Sequence, residues 1–202
     1  KLGFTDVTEV ALGAERTAEE EAEELLERLE KNESFMTTSC CPAYIQTVRR
    51  HIPEMLPHVS DTPTPMHYTA EMVKSANPET VTVFIGPCVA KRREALEDSC
   101  VDYVMTFEEL AALFEAAGIK PEECEEAPII RKPSAEGRGF GSSGGVAGAV
   151  TAAAAGRKPL RTACINGTGK AEIARMKAYA KNGAPYDPIE VMTCPGGCSN
   201  GA

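Results

Sequence analysis

Hydrophobic positions near the start of the chain follow the period of an α-helix. They recur at the i, i+3, i+4 and i+7 spacing of a single helix face, at Ala22, Leu25, Leu26 and Leu29. Thr17 and Glu20 precede this stripe with the three-residue separation of a capping box, in which two side chains satisfy free backbone N–H groups. The pattern predicts an amphipathic helix that begins at Thr17 and buries the stripe.

Short apolar runs then alternate with further helical segments along the rest of the chain. Helices are predicted over 43–51, after Pro65, from Thr106 to Gly118 and over 170–181, and residues 142–145 are predicted to open a further helix of small residues. Strands are predicted over 81–85, 101–105, 162–165 and 189–192, and the run 81–85 has the clearest pattern of a buried strand. Thr106 and Glu109 form a second capping-box pattern, whereas 119–139 is predicted to be irregular.

The alternation of strands and helices predicts the fold class. It favours an α/β fold of mostly parallel sheets flanked by helices. The chain has no internal repeat and no clear compositional break, so residues 1–202 are predicted to form one domain. Both ends of the chain look abrupt, and we expect this domain to be truncated at each of them.

The amino-acid composition of the chain limits which binding partners and which cellular compartment we expect for it. The chain has 202 residues, 43% of them hydrophobic, and its 30 acidic and 21 basic residues give a net charge of −9. So acidic a chain is a poor candidate for nucleic-acid binding. No run of about 18 apolar residues predicts a membrane span, and no signal-peptide pattern opens the chain. We expect a cytoplasmic protein whose eight cysteines are reduced thiols, some of them bound to metal, rather than disulfides.

Three short segments place cysteine beside proline or glycine at the end of an apolar run. They contain the doublet Cys40 and Cys41, then Cys88, and then the pair Cys194 and Cys198. Turns at such residues let backbone N–H groups approach sulfur, and four thiolates from distant loops can bind zinc or an iron–sulfur cluster. Zinc usually takes paired Cys-x-x-Cys segments, which this chain lacks, so the spacing favours iron–sulfur over zinc. Adjacent cysteines rarely bind the same small cluster, so one thiol of the doublet is predicted to be free.

Residues beside the cysteines make these segments recognisable. The segments are Thr38-Ser39-Cys40-Cys41-Pro42, Pro87-Cys88-x-x-Lys91-x-x-Glu94 and Met192-x-Cys194-x-x-Gly197-Cys198. In this order they resemble the three signature loops of [FeFe] hydrogenases, and the resemblance runs along nearly the whole chain, including 101–103 and 140–146. It implies the C-terminal catalytic domain of the iron-only hydrogenase large subunit, with a cluster site between two lobes.

The resemblance implies a two-part inorganic cofactor, the H-cluster. A [4Fe–4S] cluster would be bound by four cysteines, which by motif position are Cys41, Cys88, Cys194 and Cys198. Cys198 would bridge it to a diiron subcluster that carries CO, cyanide and a dithiolate amine. Lys91 would bind a cyanide nitrogen as a compact charged donor, and Glu94 would orient Lys91. Met192 would pack its thioether against the diiron subcluster, and Pro87 is also implied as a cofactor contact.

The resemblance also implies a route for protons. Cys40 would be the free thiol that passes protons to the bridging amine, because a tuned thiol can donate and accept protons near neutral pH. Glu21, Glu24 and Arg28 form a stripe beside the buried helix face and resemble the family's relay helix, and Ser60 occupies the position of a relay serine. From the residues alone, a helix so rich in glutamate is more typical of a solvated surface.

Several positions depart from the family pattern. Gly86 stands where well-studied members often have methionine. Thr64 and Met66 stand where many have serine and glutamine, which resembles a divergent branch that includes sensory enzymes. The sequence lacks the family's Pro-Ser-Ile-Arg loop, which lines the diiron pocket, and closely spaced cysteines for accessory clusters. We therefore expect these residues to form an incomplete pocket.

The resulting prediction is an oxidoreductase of the iron hydrogenase type, which reversibly reduces protons to H₂. The partners that the resemblance implies are H₂ and protons, a ferredoxin or another electron-carrier protein or domain, and maturation proteins. Two alternatives stay open. One is a hydrogenase-like iron–sulfur assembly or H₂-sensing protein, although assembly relatives tend to lack the cysteine doublet. The other is a structural zinc domain.

The remaining cysteines and the histidines match no ligand motif. Cys100 and Cys124 are unassigned, and Cys164, in an apparent strand, is predicted to be a small core residue. Three histidines are isolated along the chain and are predicted to have helix-end or surface roles rather than to bind metal: His51, His58 and His67.

Overall fold

The computed structural model describes residues 1–126 and 131–200, which form an α/β fold. Their α-helices are α1 (Ala11–Glu30), α2 (Pro42–His51), α3 (Pro65–Ala76), α4 (Lys91–Ala95), α5 (Phe107–Ala116), α6 (Ala135–Gly139), α7 (Gly145–Ala153) and α8 (Lys170–Asn182). Their strands are β1 (Met36–Thr37), β2 (Val83–Gly86), β3 (Tyr103–Thr106), β4 (Ala163–Asn166) and β5 (Pro188–Met192). Short 3-10 helices cover Pro53–His58, Pro121–Glu123 and Cys198–Asn200.

The described strands form two parallel sheets, which confirms the predicted fold class. One sheet has the strand order β1-β5-β4, and Met36 lies opposite Pro188 in it. The other sheet pairs β2 with β3, and Val83 lies opposite Tyr103. Strands β1, β2 and β5 each end shortly before one of the cysteine segments. The carboxyl ends of parallel strands lie at the same edge of a sheet, so each of the two sheets has a cysteine-bearing loop at that edge.

The hydrophobic residues form one large core and one small core. The large core packs α1, α2, α7 and the three-stranded sheet together, and its fully buried members include Leu25, Tyr44, Val150 and Ile189. The small core joins α3 to the two-stranded sheet through Met66, Ala70 and Val101. Helix α1 packs against α3 and so connects the two cores.

The first helix begins at Ala11, so the capping-box prediction at Thr17 is wrong. The Ala-Leu-Gly-Ala-Glu-Arg stretch before Thr17 is mostly composed of strong helix formers and extends the helix upstream. The Thr17 hydroxyl is fully buried inside the helix and lies 3.1 Å from the carbonyl oxygens of both Gly13 and Pro63. The predicted apolar stripe is confirmed, since Ala22, Leu25 and Leu26 are buried and Leu29 packs against them.

The second capping box is confirmed at the start of α5. The Glu109 N–H donates to Thr106 Oγ1 at 3.2 Å, and the Thr106 N–H donates to Glu109 Oε2 at 2.8 Å. The predicted helices over 43–51 and 170–181 match α2 and α8 to within one residue at each end. At these positions, local capping and hydrophobic periodicity were sufficient to predict where the helices lie.

Two burial predictions are wrong. Strand β2 is only partly covered, and Val81 before it is 65% exposed, because its sheet has two described strands and a small core. Cys164 is exposed, because β4 is an edge strand and its side chains alternate between Ile165 in the core and Cys164 outside. The region predicted to be irregular contains α6, and its residues 127–130 lie outside the described residues.

Across residues 1–126 and 131–200, no helix combines the length and the apolar character that crossing a bilayer requires.

Candidate metal-cluster and proton-relay site

The four cysteines predicted to bind a cluster lie in loops that follow strands of both sheets. Cys41 is buried at the N-cap of α2, Cys88 follows β2, and Cys194 and Cys198 follow β5. Burial raises the pKa of the Cys194 thiol and raises that of Cys198 to about 11, and the thiols of Cys41 and Cys88 add to both effects. The Cys194 and Cys198 thiols therefore lie within electrostatic reach of the thiols of Cys41 and Cys88.

The loop that carries the last two cysteines requires glycine for steric reasons. Gly196 and Gly197 have φ angles of +84° and +97°, in the left-handed region that favours glycine. Ser142 pairs with Gly197 in an isolated β-bridge, and a Cβ at Gly197 would lie 2.5 Å from the carbonyl oxygen of Gly141. The loop can therefore pack directly against the 141–143 segment, whose Ser143 N–H donates to the Gly196 carbonyl oxygen at 3.0 Å.

Glu190 supports the start of α7, a role that we did not predict. It is fully buried in β5, and its carboxylate oxygens accept hydrogen bonds from the N–H groups of Gly144 (2.7 Å) and Ala147 (3.0 Å). Amides at the beginning of a helix have no partner within the helix, so a buried carboxylate stabilises them. The available signal was a single acidic residue inside the apolar run 189–192.

Lys91 is a buried cation at the start of α4. Its Nζ donates to Glu94 Oε2 at 2.8 Å and lies 3.4 Å from Thr64 Oγ1, and the Thr64 hydroxyl also donates to Glu94. The Lys91 charge lowers the thiol pKa of both Cys40 and Cys198, in opposition to the larger effect of burial. The structure thus brings Lys91 and Glu94 together beside the cysteines, with Thr64 as a third member.

Cys40 lies next to a buried carboxyl group. Burial, followed by the charge of Glu21, raises the pKa of the Cys40 thiol well above its ordinary value, so the thiol is protonated at neutral pH. Glu21 is fully buried, and burial raises its pKa to about 7. The backbone N–H and the hydroxyl of Ser39 oppose this shift by donating to Glu21 Oε1 at 3.0 Å and 3.3 Å. Glu21 can therefore both hold and release a proton near neutral pH.

A polar network connects this region to the surface. Ser60 Oγ donates to Glu24 Oε2 at 2.6 Å, and Glu24 Oε1 lies 2.6 Å from Arg28 Nη2. Arg28 Nη2 also lies 3.3 Å from the carboxylate of Asp61, which is exposed. Burial would raise the pKa of Glu24, but hydrogen bonds from Ser60 and the Asp61 N–H, together with the Arg28 charge, lower it. Ser60 also lies close enough to Glu21 to lower the pKa of that carboxyl group.

Three buried polar atoms near these groups have no hydrogen-bond partner within the described part of the chain. They are Glu21 Oε2, Thr38 Oγ1 and Thr193 Oγ1. Thr38 precedes the cysteine doublet, and Thr193 directly precedes Cys194. Because an unpartnered buried polar atom is costly, such atoms indicate a neighbouring group other than protein. Together with four free cysteine thiols and a buried ammonium, they fit a sulfur-rich inorganic cofactor.

Two predicted cofactor contacts flank the cysteine loops. Met192 is buried at the end of β5, and Pro87 is partly buried between Gly86 and Cys88. The structure gives a steric reason for glycine rather than methionine at position 86. A Cβ at Gly86 would lie 2.8 Å from ring atoms of Phe84. The Phe84 ring therefore occupies the space beside Gly86.

One group of metal-binding side chains lies outside the cysteine segments. Among the residues that the structure describes, this group of three His, Cys, Asp or Glu side chains has its donor atoms within 4.8 Å of one another: His67, Asp98 and Cys100.

Comparison with known proteins relates the chain to one family. The family model described as "Iron only hydrogenase large subunit, C-terminal domain" matches residues 1–202. "Iron hydrogenase 1" of Clostridium pasteurianum is 31% identical over 252 residues, which cover 100% of this chain and 43% of that protein. The chain therefore spans less than half the length of this relative.

Similarity extends to solved structures and to a second kind of protein. An [FeFe]-hydrogenase from Chlamydomonas reinhardtii matches with a TM-score of 0.78 and 26% identity, over 99% of this chain and 70% of that chain. A "Cytosolic Fe-S cluster assembly factor" of Kluyveromyces lactis is 33% identical over 92 residues, which cover 44% of this chain and 20% of that protein. The similar proteins thus include both hydrogenases and an iron–sulfur assembly factor.

Proposed function

The chain belongs to the family of the iron-only hydrogenase large subunit, C-terminal domain, and on that premise we propose that it is the catalytic domain of an [FeFe] hydrogenase. Iron–sulfur binding is supported by the family and by relatives of both kinds. The further step that we propose is enzymatic: the domain reversibly reduces protons to H₂.

We assign the binding of the H-cluster to residues from three loops. In this proposal Cys41, Cys88, Cys194 and Cys198 would hold the cubane, and Cys198 would also hold the diiron subcluster. When bound, the H-cluster supplies the redox chemistry that interconverts protons, electrons and H₂. An ammonium has three N–H donors, and Lys91 directs two of them toward Glu94 and Thr64. The remaining donor is available for an anionic cofactor ligand, and Met192 and Pro87 contribute apolar contacts.

The side chains of this protein provide the proton route. Arg28 holds Glu24 near the surface, and Ser60 bridges from Glu24 toward the buried Glu21. Glu21 exchanges protons readily because its pKa is about 7. Cys40, whose thiol pKa burial raises, stays protonated and holds a proton on its sulfur at the inner end of the route.

The single observation that carries this proposal is the complete burial of Glu21 without a cation as partner among the described residues. A structural carboxylate buried in a core is normally paired with a cation or has both oxygens hydrogen-bonded. Glu21 is fully buried and accepts hydrogen bonds from the Ser39 backbone and hydroxyl, and its Oε2 has no hydrogen-bond partner in the described residues. Its position between Cys40 and the Ser60–Glu24 pair suits a group that moves protons.

Partners and a cellular location for the protein form a further part of the proposed function. We propose that electrons come from a ferredoxin or another electron-carrier protein or domain, that maturation proteins supply the diiron subcluster, and that the protein is cytoplasmic. The chain spans 43% of "Iron hydrogenase 1", so these partners and this location are proposed for the whole protein.

Anaerobic reconstitution tests the proposed activity. The chain is supplied with iron and sulfide, then with a synthetic diiron precursor, and H₂ evolution is measured with reduced viologen. We expect infrared bands of CO and cyanide together with H₂ evolution. A protein that shows the bands without turnover would be a sensor, and a protein that binds the cubane but shows no bands would contradict the diiron assignment.

An iron–sulfur assembly protein is the second candidate function, because one group of relatives has that description. Such a protein needs the cubane but neither the free thiol nor the buried carboxyl beside it. Cys40 and Lys91 support the hydrogenase, since a protonated thiol and a buried ammonium beside the cysteine segments suit proton transfer and the binding of an anionic ligand. Cubane binding without infrared bands in the experiment above would favour the assembly function.

A further inference from the structure

His67 has partners that distinguish it from the other two histidines. His51 is exposed at the end of α2, and His58 stacks on Phe35 with ring centroids 4.1 Å apart. His67 instead lies on α3 with Nδ1 at 3.0 Å from Asp98 Oδ2. It is therefore not isolated in the fold, although it is isolated in the sequence.

Cys100 completes a group of three metal-binding side chains with His67 and Asp98. Their donor atoms lie within 4.8 Å of one another, and the group comes from two places in the chain that are about 31 residues apart. Tetrahedral zinc holds its ligand atoms about 3.5 Å apart, so small side-chain rotations would bring the three donors onto one ion. The group contains one nitrogen, one oxygen and one sulfur donor.

The loop around Cys100 already holds the carboxylate and the thiol in position. The Cys100 N–H donates to Asp98 Oδ1 at 2.7 Å, which leaves Oδ2 directed at His67. The Cys100 carbonyl oxygen accepts a hydrogen bond from Thr82 Oγ1 at 2.7 Å, so the loop is tied to the two-stranded sheet. Hydrogen bonds of this kind orient metal ligands before the metal binds.

Burial and charge also suit a cation. The Asp98 side chain is 7% exposed and the His67 side chain 26% exposed, so the group is shielded but open on one side. No Lys or Arg in the described ranges forms an ion pair with Asp98, whose only salt-bridge partner is His67. The negative charge of Asp98 is thus available to a metal ion.

We propose that His67, Asp98 and Cys100 bind a zinc-class divalent ion, with a water molecule at the fourth position. Mixed imidazole, carboxylate and thiolate donors suit Zn²⁺ rather than Mg²⁺ or Ca²⁺, which prefer oxygen ligands. The bound ion joins α3 to the loop between α4 and β3. None of these three ligands is one of the four proposed cluster cysteines, and the proposal does not depend on the hydrogenase function.

Metal analysis of the full chain tests the site. The cysteine cluster is first reconstituted anaerobically so that its thiolates are occupied, zinc is added, and bound zinc is measured after gel filtration. We expect about one zinc per chain in the wild type. His67→Ala and Cys100→Ser should weaken zinc binding by at least about 10-fold, whereas the matched controls His51→Ala and Cys124→Ser should bind zinc like the wild type.

Cobalt substitution provides a second measurement that does not require the cluster. Cys100→Ser should lose a thiolate-to-Co²⁺ charge-transfer band that Cys124→Ser retains, and this difference should persist when Cys41, Cys88, Cys194 and Cys198 are all replaced by serine. Equal zinc content in the wild type, His67→Ala and Cys100→Ser, with identical cobalt spectra, would overturn the proposal. Failure of cluster reconstitution would affect only the proposed hydrogenase function.

Discussion

Two glutamates one helical turn apart on α1 have opposite pKa shifts. At Glu21, burial raises the pKa to about 7. The hydrogen bonds from Ser39 lower the pKa, but their effect is smaller than that of burial. At Glu24 the hydrogen bonds from Ser60 and the Asp61 N–H and the charge of Arg28 outweigh partial burial and lower the pKa. The same residue type therefore provides an exchangeable proton inside and a fixed negative charge nearer the surface.

The raised pKa of Glu21 predicts a specific pH dependence of stability. Between the ordinary pKa of 4.5 and about 7, the unfolded state loses a proton that the folded state retains, so stability falls as pH rises through this window. Glu21→Gln removes this titration. We expect the free energy of unfolding of Glu21→Gln, relative to wild type, to rise by about 2–3 kcal/mol from about pH 5 to about pH 8.

Urea denaturation at several pH values measures this difference. The exposed Glu27 on the same helix provides the matched control, and Glu27→Gln should follow the wild-type pH profile. Parallel profiles for wild type and Glu21→Gln would show that the buried carboxyl is not the group that titrates.

Glu21→Gln also tests the proton route. Glutamine retains an oxygen that can accept the Ser39 hydrogen bonds but cannot transfer a proton, so we expect H₂ evolution to fall by about 100-fold with unchanged iron content. Glu27→Gln should retain the wild-type rate. A Glu21→Gln protein with full activity would remove Glu21 from the route.

The cysteine doublet predicts two different phenotypes from adjacent substitutions. Cys41→Ala should lose iron–sulfur absorption, because a proposed cubane ligand is removed. Cys40→Ala should keep that absorption but lower H₂ evolution by at least about 100-fold, because the proposed proton donor is removed. Iron content, visible absorption and H₂ assays on both variants check the assignment, which is wrong if Cys40→Ala loses the cluster.

At the scale of elements, the contact between α1 and α3 depends on a small residue. A Cβ at Gly13 would lie 2.3 Å from the Pro65 carbonyl oxygen and 2.4 Å from Thr69 Oγ1. Two helices therefore approach closely at the N-terminal part of α1. This crossing sets the orientation of the helix that carries Glu21 and Glu24.

Two glycine-to-alanine substitutions in helices should have opposite effects. Gly13→Ala should lower the free energy of unfolding by about 1–3 kcal/mol, because backbone and side-chain atoms of α3 must move. Gly148→Ala in α7, where no atom lies within 4 Å of the added Cβ, should raise it by about 0.5–1 kcal/mol through helix propensity. Thermal and urea denaturation distinguish the two, and equal effects would contradict the packing explanation.

At the scale of the whole molecule, the proposed cluster joins two sheets that have separate cores. Cys88 follows the two-stranded sheet, whereas Cys41, Cys194 and Cys198 belong to loops of the three-stranded sheet. A cluster bound by all four would connect the sheets covalently through metal–sulfur bonds. Its binding therefore stabilises the folded state selectively.

Reconstitution should raise the thermal midpoint of the wild type by about 5–10 °C. Cys88→Ala should show little increase, because the ligand from the two-stranded sheet is missing. Cys124→Ala, at a cysteine outside the proposed site, should behave like the wild type. Circular dichroism melts before and after anaerobic reconstitution measure the shift, and an equal increase in Cys88→Ala would contradict the bridging role.

The sequence by itself determined those features that depend on neighbouring residues. The strand–helix alternation predicted the parallel α/β fold, and Thr106 with Glu109 formed the predicted capping box. The cysteine segments and their resemblance predicted the family, which the comparison established. These features could be predicted because periodicity, capping and motif spacing act within a few residues.

Only the tertiary structure decided burial and proximity between distant segments. Thr17 and Thr106 have the same capping pattern, but Thr17 is inside a helix because upstream residues extend α1. Glu21 is buried while Glu27 on the same helix is exposed, because one face of α1 packs against segments far along the chain. Cys164 became an exposed edge residue, and His67 gained Asp98 and Cys100, for the same physical reason: side-chain surroundings come from long-range packing, which local patterns do not encode.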